Sequence, residues 1–161
     1  MRRFVAAVVL VSGLLVAPAA ASGAGTPLVV DNISPPASRA LAHSPREIYY
    51  TGDGSGFLAG RGGSARSPGR LRWISSTGSQ ATASGADWID NCKPSCAGGT
   101  FRAYPATLRF SGPSVLGGRL VYTRMKVTFT GARPPYAAYR SGSWSAHLRY
   151  TAHPGSYFWN T

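Results

Sequence analysis

The chain has 161 residues, room for one domain, and its 17 Lys and Arg against five Asp and Glu give a formal charge of +12. A lone Cys-x-x-x-Cys pair with three scattered histidines excludes a structural zinc site, which needs four ligands. Five carboxylates are also a poor supply for paired acid–base chemistry, or for calcium, which takes six or more oxygen ligands.

The chain begins Met1-Arg2-Arg3, followed by an apolar run over residues 4–17 and the small residues Ala17-Pro18-Ala19-Ala20-Ala21. A charged start, a short apolar stretch and a small-residue site are the pattern of a secretory signal peptide, expected over residues 1–21. The run of roughly 14 residues is short for a bilayer-spanning helix, which needs about 20. Loss of Arg2 and Arg3 leaves 15 basic against five acidic residues, a charge of +10. Such a charge favours polyanions outside the cell: wall polymers, anionic lipid surfaces, extracellular nucleic acid or acidic proteins. Fifteen of the 17 basic residues are Arg, and Ala and Gly abound, so a GC-rich coding bias is an alternative origin.

Residues 22–45 hold four prolines among Ala, Ser and Gly and read as an extended leader, with one short strand at 28–30. A β-domain is expected over 46–151. Residues 47–51 form its first strand, and Gly52-Asp53-Gly54-Ser55-Gly56 forces a turn. Phe57-Leu58 begins a second short strand, and the Gly/Ser/Arg-rich residues 59–70 read as a mobile loop. Residues 71–77 and 80–89 pair as a hairpin around Thr77-Gly78-Ser79. The polar first half of the second strand, 81–84, is expected at an edge or facing solvent.

Cys92 and Cys96 are the only cysteines, and in an exported chain a single pair forms a disulfide. A five-residue loop gives it only about 2 kcal/mol of loop entropy, so it pins a turn and does not staple the fold. Residues 100–110 follow as a strand that Pro105, lacking an N–H, makes an edge or bends. Residues 119–130 alternate most clearly. Val121, Met125, Val127 and Phe129 share one face, and Tyr122, Arg124, Lys126 and Thr128 the other. After a loop over 131–142, residues 143–151 alternate again, with Trp144, Ala146, Leu148 and Tyr150 inward and His147 and Arg149 outward. The tail, 152–161, ends in Tyr157-Phe158-Trp159, either docked on the domain or left exposed. Six or seven short strands with no amphipathic helix imply an all-β fold, a single antiparallel β-sandwich or small barrel.

A Tyr-Tyr-Thr-Gly-Asp-Gly turn (49–54), Leu71-Arg72-Trp73, Trp88-Ile89-Asp90-Asn91-Cys92 with Cys96, Tyr104-Pro105 and residues 118–124 together form a set with specific spacing. Over about residues 46–133 this set resembles a family of small secreted actinobacterial proteins. The resemblance implies export, one cysteine pair and a β-rich fold, and carries no catalytic residue with it.

No Gly-x-Ser-x-Gly elbow is present. His43, His147 and His153 lack an evident oriented acid. Asp87 and Asp90, three apart on a strand, point to opposite faces. Together with Asn91 they are expected as side-chain caps on turn N–H groups; an ion site is the alternative. Lys93-Pro94 at the tip of the disulfide loop suits display to a partner protein. The strongest grouping is a basic, aromatic strand face formed by Arg109, Tyr122, Arg124, Lys126, His147 and Arg149, suited to sugars, acidic polymers or single-stranded nucleic acid, the last disfavoured by export; an ordinary solvated face is the other reading. The expectation is a secreted, non-enzymatic module without cofactor or metal. Its expected partner is an anionic polymer or carbohydrate of the cell envelope, or an extracellular protein bound by the 92–96 loop, and not intracellular nucleic acid.

Overall fold

The computed structural model describes residues 25–31, 41–152 and 155–161. The expected signal peptide, residues 1–21, lies outside the described residues, as do residues 22–24 and 32–40 of the leader and His153. Among the described residues the fold is all-β. The strands are β1 (Val29–Val30), β2 (Leu41–Ala42), β3 (Ile48–Tyr49), β4 (Gly56–Ser64), β5 (Ser67–Gly69), β6 (Arg72–Ser76), β7 (Gln80–Asp90), β8 (Phe101–Leu116), β9 (Arg119–Phe129), β10 (Ser143–Thr151) and β11 (Ser156–Asn160). The main sheet runs β11-β10-β9-β8-β7-β4-β3, with β5 on β4 and β6 beside β4 along β7. It is antiparallel throughout and curls into a half-barrel.

Strand alternation decides which side chains enter the concave side. Ala81 and Ala83 of β7, Leu108 and Phe110 of β8, and Met125 and Val127 of β9 form the main core with Ala146 and Leu148 of β10. The intervening residues Arg109, Arg124, Lys126, His147 and Arg149 are exposed on the convex side. At one end the convex side also carries a smaller apolar cluster of Phe57, Ala59, Ala86 and Trp88. There Phe57 and Trp88 stack at 5.9 Å, and the Trp88 indole donates to the Gly60 carbonyl at 3.0 Å.

Three expectations change. Residues 59–70 are not a loop but the hairpin β4–β5, with Gly60 opposite Gly69. A Cβ on Gly60 would lie 2.5 Å from the backbone of the returning strand, so glycine permits the pairing that composition alone reads as a loop. The polar start of β7 is not an edge: it pairs with β6 on one side and β8 on the other, and its small Ala81 and Ala83 are fully buried. β8 is central despite Pro105. In an antiparallel strand the N–H and C=O of one residue point to the same neighbour. The Pro105 carbonyl accepts from the Thr130 N–H at 2.8 Å, just past the end of β9. The missing N–H therefore falls where the ladder with β9 stops, and costs no β7–β8 bond.

The leader and tail are also part of the core. Leu28 exchanges hydrogen bonds with Leu120 and Tyr122 on β9, where β10 has turned away, and Val29 and Val30 are fully buried. β11 pairs with β10, burying Tyr157 and Trp159, and the Trp159 indole donates to the Val30 carbonyl at 3.4 Å. Residues 28–30 and β11 thus meet on one side of the half-barrel.

Candidate binding surfaces

The convex face of β8, β9 and β10 gathers most of the expected basic side chains. Arg109, Lys126 and Ser145 lie on one cross-strand rung, and Ser111, Arg124 and His147 on the next. Rungs of this kind set neighbouring cations about 5 Å apart across strands and about 7 Å along them. These residues line a shallow groove of about 290 Å³. Arg109 donates to Gln80 at 2.6 Å, which holds its guanidinium in place. Arg149 extends the row and faces Phe158 on β11, whose side chain is 39% exposed. All five carboxylates of the chain precede residue 91, while the remaining segment holds nine Lys and Arg, so the field over this face has no acidic counterweight from its own strands.

Tyr122 does not belong to that face. It is fully buried, its ring packs 6.4 Å from Phe110, and its hydroxyl donates to the Thr77 carbonyl. The cause is a break in the β8–β9 ladder between the Ser111–Arg124 and Pro113–Tyr122 pairs, where Gly112 adopts φ +64°. Beyond this kink simple alternation no longer holds, and Val121 and Tyr122 are both buried. Phe158 supplies an aromatic that alternation on β9 placed at Tyr122. Its signal in the sequence was its position between two core aromatics, Tyr157 and Trp159.

The acidic residues separate. Asp90 accepts the Cys92 N–H at 3.0 Å, and Asn91 accepts the N–H groups of Lys93 and Thr100 at 3.1 and 3.0 Å. These bonds, with the Cys92–Cys96 disulfide, define the loop between β7 and β8. Asp87 is not a turn cap. Its carboxylate is fully buried on the concave side, where it accepts from the Tyr50 hydroxyl at 2.8 Å and the Trp144 indole at 2.9 Å. A residue in mid-strand has its local N–H groups committed to the ladder, so its side chain takes donors from β10 and from the segment after β3 instead. Burial pushes the Asp87 carboxyl up to about 7, against the opposing pull of its two donors. Burial and the neighbouring Asp87 carboxylate likewise raise the Tyr50 and Tyr139 phenols.

His147 is exposed on the convex side while Asp87 is sealed on the concave side, and Asp90 sits at the disulfide loop, so these three do not converge. Among the described residues no group of three or more His, Cys, Asp and Glu side chains is placed to hold a metal ion.

A second cavity, about 200 Å³, opens on the concave side beside the disulfide loop. Ile89, Pro135, Tyr104 and Tyr136 give it apolar surface; Asn91, Lys93 and Arg102 give it donors. Arg102 and Lys93 lie outside the expected basic face. Arg102 shares the strand parity of Leu108 and Phe110, and a cation on a core-facing parity near a strand end was the available signal.

The fold and surfaces define an all-β half-barrel with a cationic convex face and a small donor-rich cavity at one end. No family model, curated protein or solved structure matches this chain.

Proposed function

We infer that the protein is an exported, non-enzymatic β-module that binds an anionic polymer or carbohydrate of the cell envelope through its convex face. The observation that carries this reading is the row of Arg109, Arg124, Lys126 and Arg149 on adjacent exposed strands, with His147 among them and no carboxylate in that half of the chain. Cations repeated at about 5–7 Å suit a chain of regularly spaced anionic groups, since several weak, screened contacts then act together. Phe158 beside Arg149 adds an exposed ring for sugar contact. The disulfide fits an oxidising compartment, and the signal-peptide pattern and the resemblance to secreted actinobacterial proteins support export.

Retention on purified anionic envelope polymer, measured across a salt series, tests it. Binding is expected at low salt and falls steeply as salt rises. Changing Arg109, Arg124, Lys126 and Arg149 together to Ser removes it. A control set of equal charge on other exposed positions, Arg46, Arg66, Arg70 and Arg72 to Ser, keeps it. Equal loss in both sets shows net charge alone at work and overturns the site.

A further inference from the structure

We propose that the concave cavity beside the disulfide loop is a separate recognition site for a single acidic sugar unit, a pyranose ring bearing one carboxylate. The inference goes beyond the convex face: it concerns the other side of the sheet and different side chains.

The first argument is preorganisation. Tyr104 and Tyr136 stand at the two ends of a continuous run of ring contacts: Tyr104 to Phe129 at 6.4 Å, Phe129 to Tyr139 at 5.8 Å, and Tyr139 to Tyr136 at 6.3 Å. The first two pairs meet nearly edge to face, at 77° and 89°. Behind this run Tyr50 packs on Trp144 at 4.7 Å, and both bind Asp87. The tyrosines are therefore fixed from behind by packed rings, yet Tyr136 remains 40% exposed. A rigid aromatic surface loses little side-chain freedom on binding.

The second argument is the surplus of donors. The side chains of Lys93 and Arg102, the Asn91 amide nitrogen and the Tyr104 and Tyr136 hydroxyls have no hydrogen-bond or ion-pair partner among the described residues. No carboxylate lines the cavity. Asn91 has its oxygen committed to two backbone N–H groups, which turns its amide nitrogen into the free end. The Asn91 bonds and the Cys92–Cys96 bond fix the loop that carries Lys93. A lone carboxylate takes about four hydrogen bonds and cannot use these donors together. A carboxylate attached to a ring of hydroxyl groups uses the cations for its charge and the amide and phenols for its oxygens, while its C–H faces rest on tyrosine.

The third argument is size. The cavity of about 200 Å³ is smaller than the roughly 300–1,000 Å³ of pockets that enclose drug-sized ligands, which fits one ring and not a longer chain. A repeating anionic polymer suits the open convex row; one terminal or branching acidic residue suits this cavity.

Amide chemical-shift titration with D-glucuronate tests the site. Saturable shifts are expected at Ile89, Asn91, Lys93, Arg102 and Tyr104. D-glucose, which lacks the carboxylate, and benzoate, which lacks the hydroxyls, should each bind at least about tenfold more weakly. Arg102→Ala and Tyr136→Ala, both at exposed side chains, should each weaken glucuronate about tenfold or more while leaving the remaining spectrum in place. The convex-face Ser variant should titrate as the unaltered protein does, even where it no longer binds polymer. Shifts confined to the convex face, no saturable shifts, or benzoate matching glucuronate would overturn the proposal. A failure here leaves polymer retention unaffected, so the two sites are judged separately.

Discussion

Asp87 and Asp90 stand three residues apart on one strand, and both are nearly sealed, at 0% and 5% exposure. Their surroundings are otherwise opposite. Asp87 points into the concave core and is held by donors from Tyr50 and Trp144, 37 and 57 residues away. Asp90 points to the other face and is held by the Cys92 N–H, two residues away. The first is a long-range polar tie between distant strands of the half-barrel; the second is a local brace on a turn. Equal burial thus hides two different jobs, and they should fail in different ways.

The largest effect is expected from removing the long-range tie. Asp87→Leu removes the acceptor of the buried Tyr50 hydroxyl, which keeps only its contact with Tyr139, and the acceptor of the part-buried Trp144 N–H. At roughly 1–3 kcal/mol for each unsatisfied donor, with repacking added, the loss is about 5 kcal/mol, measured by denaturant unfolding at pH 4. Adding Tyr50→Phe removes one stranded donor and should return about 2 kcal/mol of it, a non-additivity that identifies the pair as coupled. If the two changes simply add, Asp87 is not the tie described.

A slightly smaller effect comes from pH. Burial raises the Asp87 carboxyl from 3.8 to about 7, so between these values the folded chain holds a proton that the unfolded chain has released. The contribution is complete below about pH 4, declines as pH rises, and is gone above about pH 7. At 1.36 kcal/mol per tenfold change in proton affinity, the full span is about 4 kcal/mol. Asp87→Asn keeps an acceptor for the Trp144 N–H and offers an amide N–H to the Tyr50 oxygen, without a charge. It should flatten the decline and exceed the unaltered protein in stability at pH 8. A variant with the same pH profile as the parent would remove Asp87 as its source.

This contrast also shows which parts of the protein were legible in its sequence. The Asp90 and Asn91 caps were legible because donor and acceptor lie within one loop, where residue type and spacing carry the geometry. The Asp87 tie was not, because nothing local marks Tyr50 or Trp144 as its donors; only the curl of the sheet brings them together. The same division runs through the fold. Alternation placed Arg124, Lys126, His147 and Arg149 on the outer face, since period two is a local property of a strand. It misplaced Tyr122, where the kink beside Gly112 belongs to the neighbouring strand. Pro105 looked like an edge marker, but which side its missing N–H faces depends on where β9 ends. The cavity needed β8, the disulfide loop and the 131–142 segment to meet, and no single stretch of sequence reports that.

The local brace should yield a smaller and more confined loss. Gly99 packs directly against the Asp90 carboxylate: a Cβ there would fall 1.9 Å from Oδ1, the atom that accepts the Cys92 N–H. Gly99→Ala must therefore displace the carboxylate or the chain, and the Cys92 N–H loses its acceptor. The cost is about 2 kcal/mol, that of one unsatisfied donor with local strain, and is measurable as a fall in melting temperature. Asp90→Asn keeps an oxygen for the same N–H and should cost less than Gly99→Ala. Because the disulfide and the Asn91 bonds still hold the loop, amide shifts should change around residues 90–100 while those of Tyr50 and Trp144 stay in place. Changes reaching the Asp87 site would mean that the two aspartates act as one unit through β7, and the contrast between tie and brace would fail.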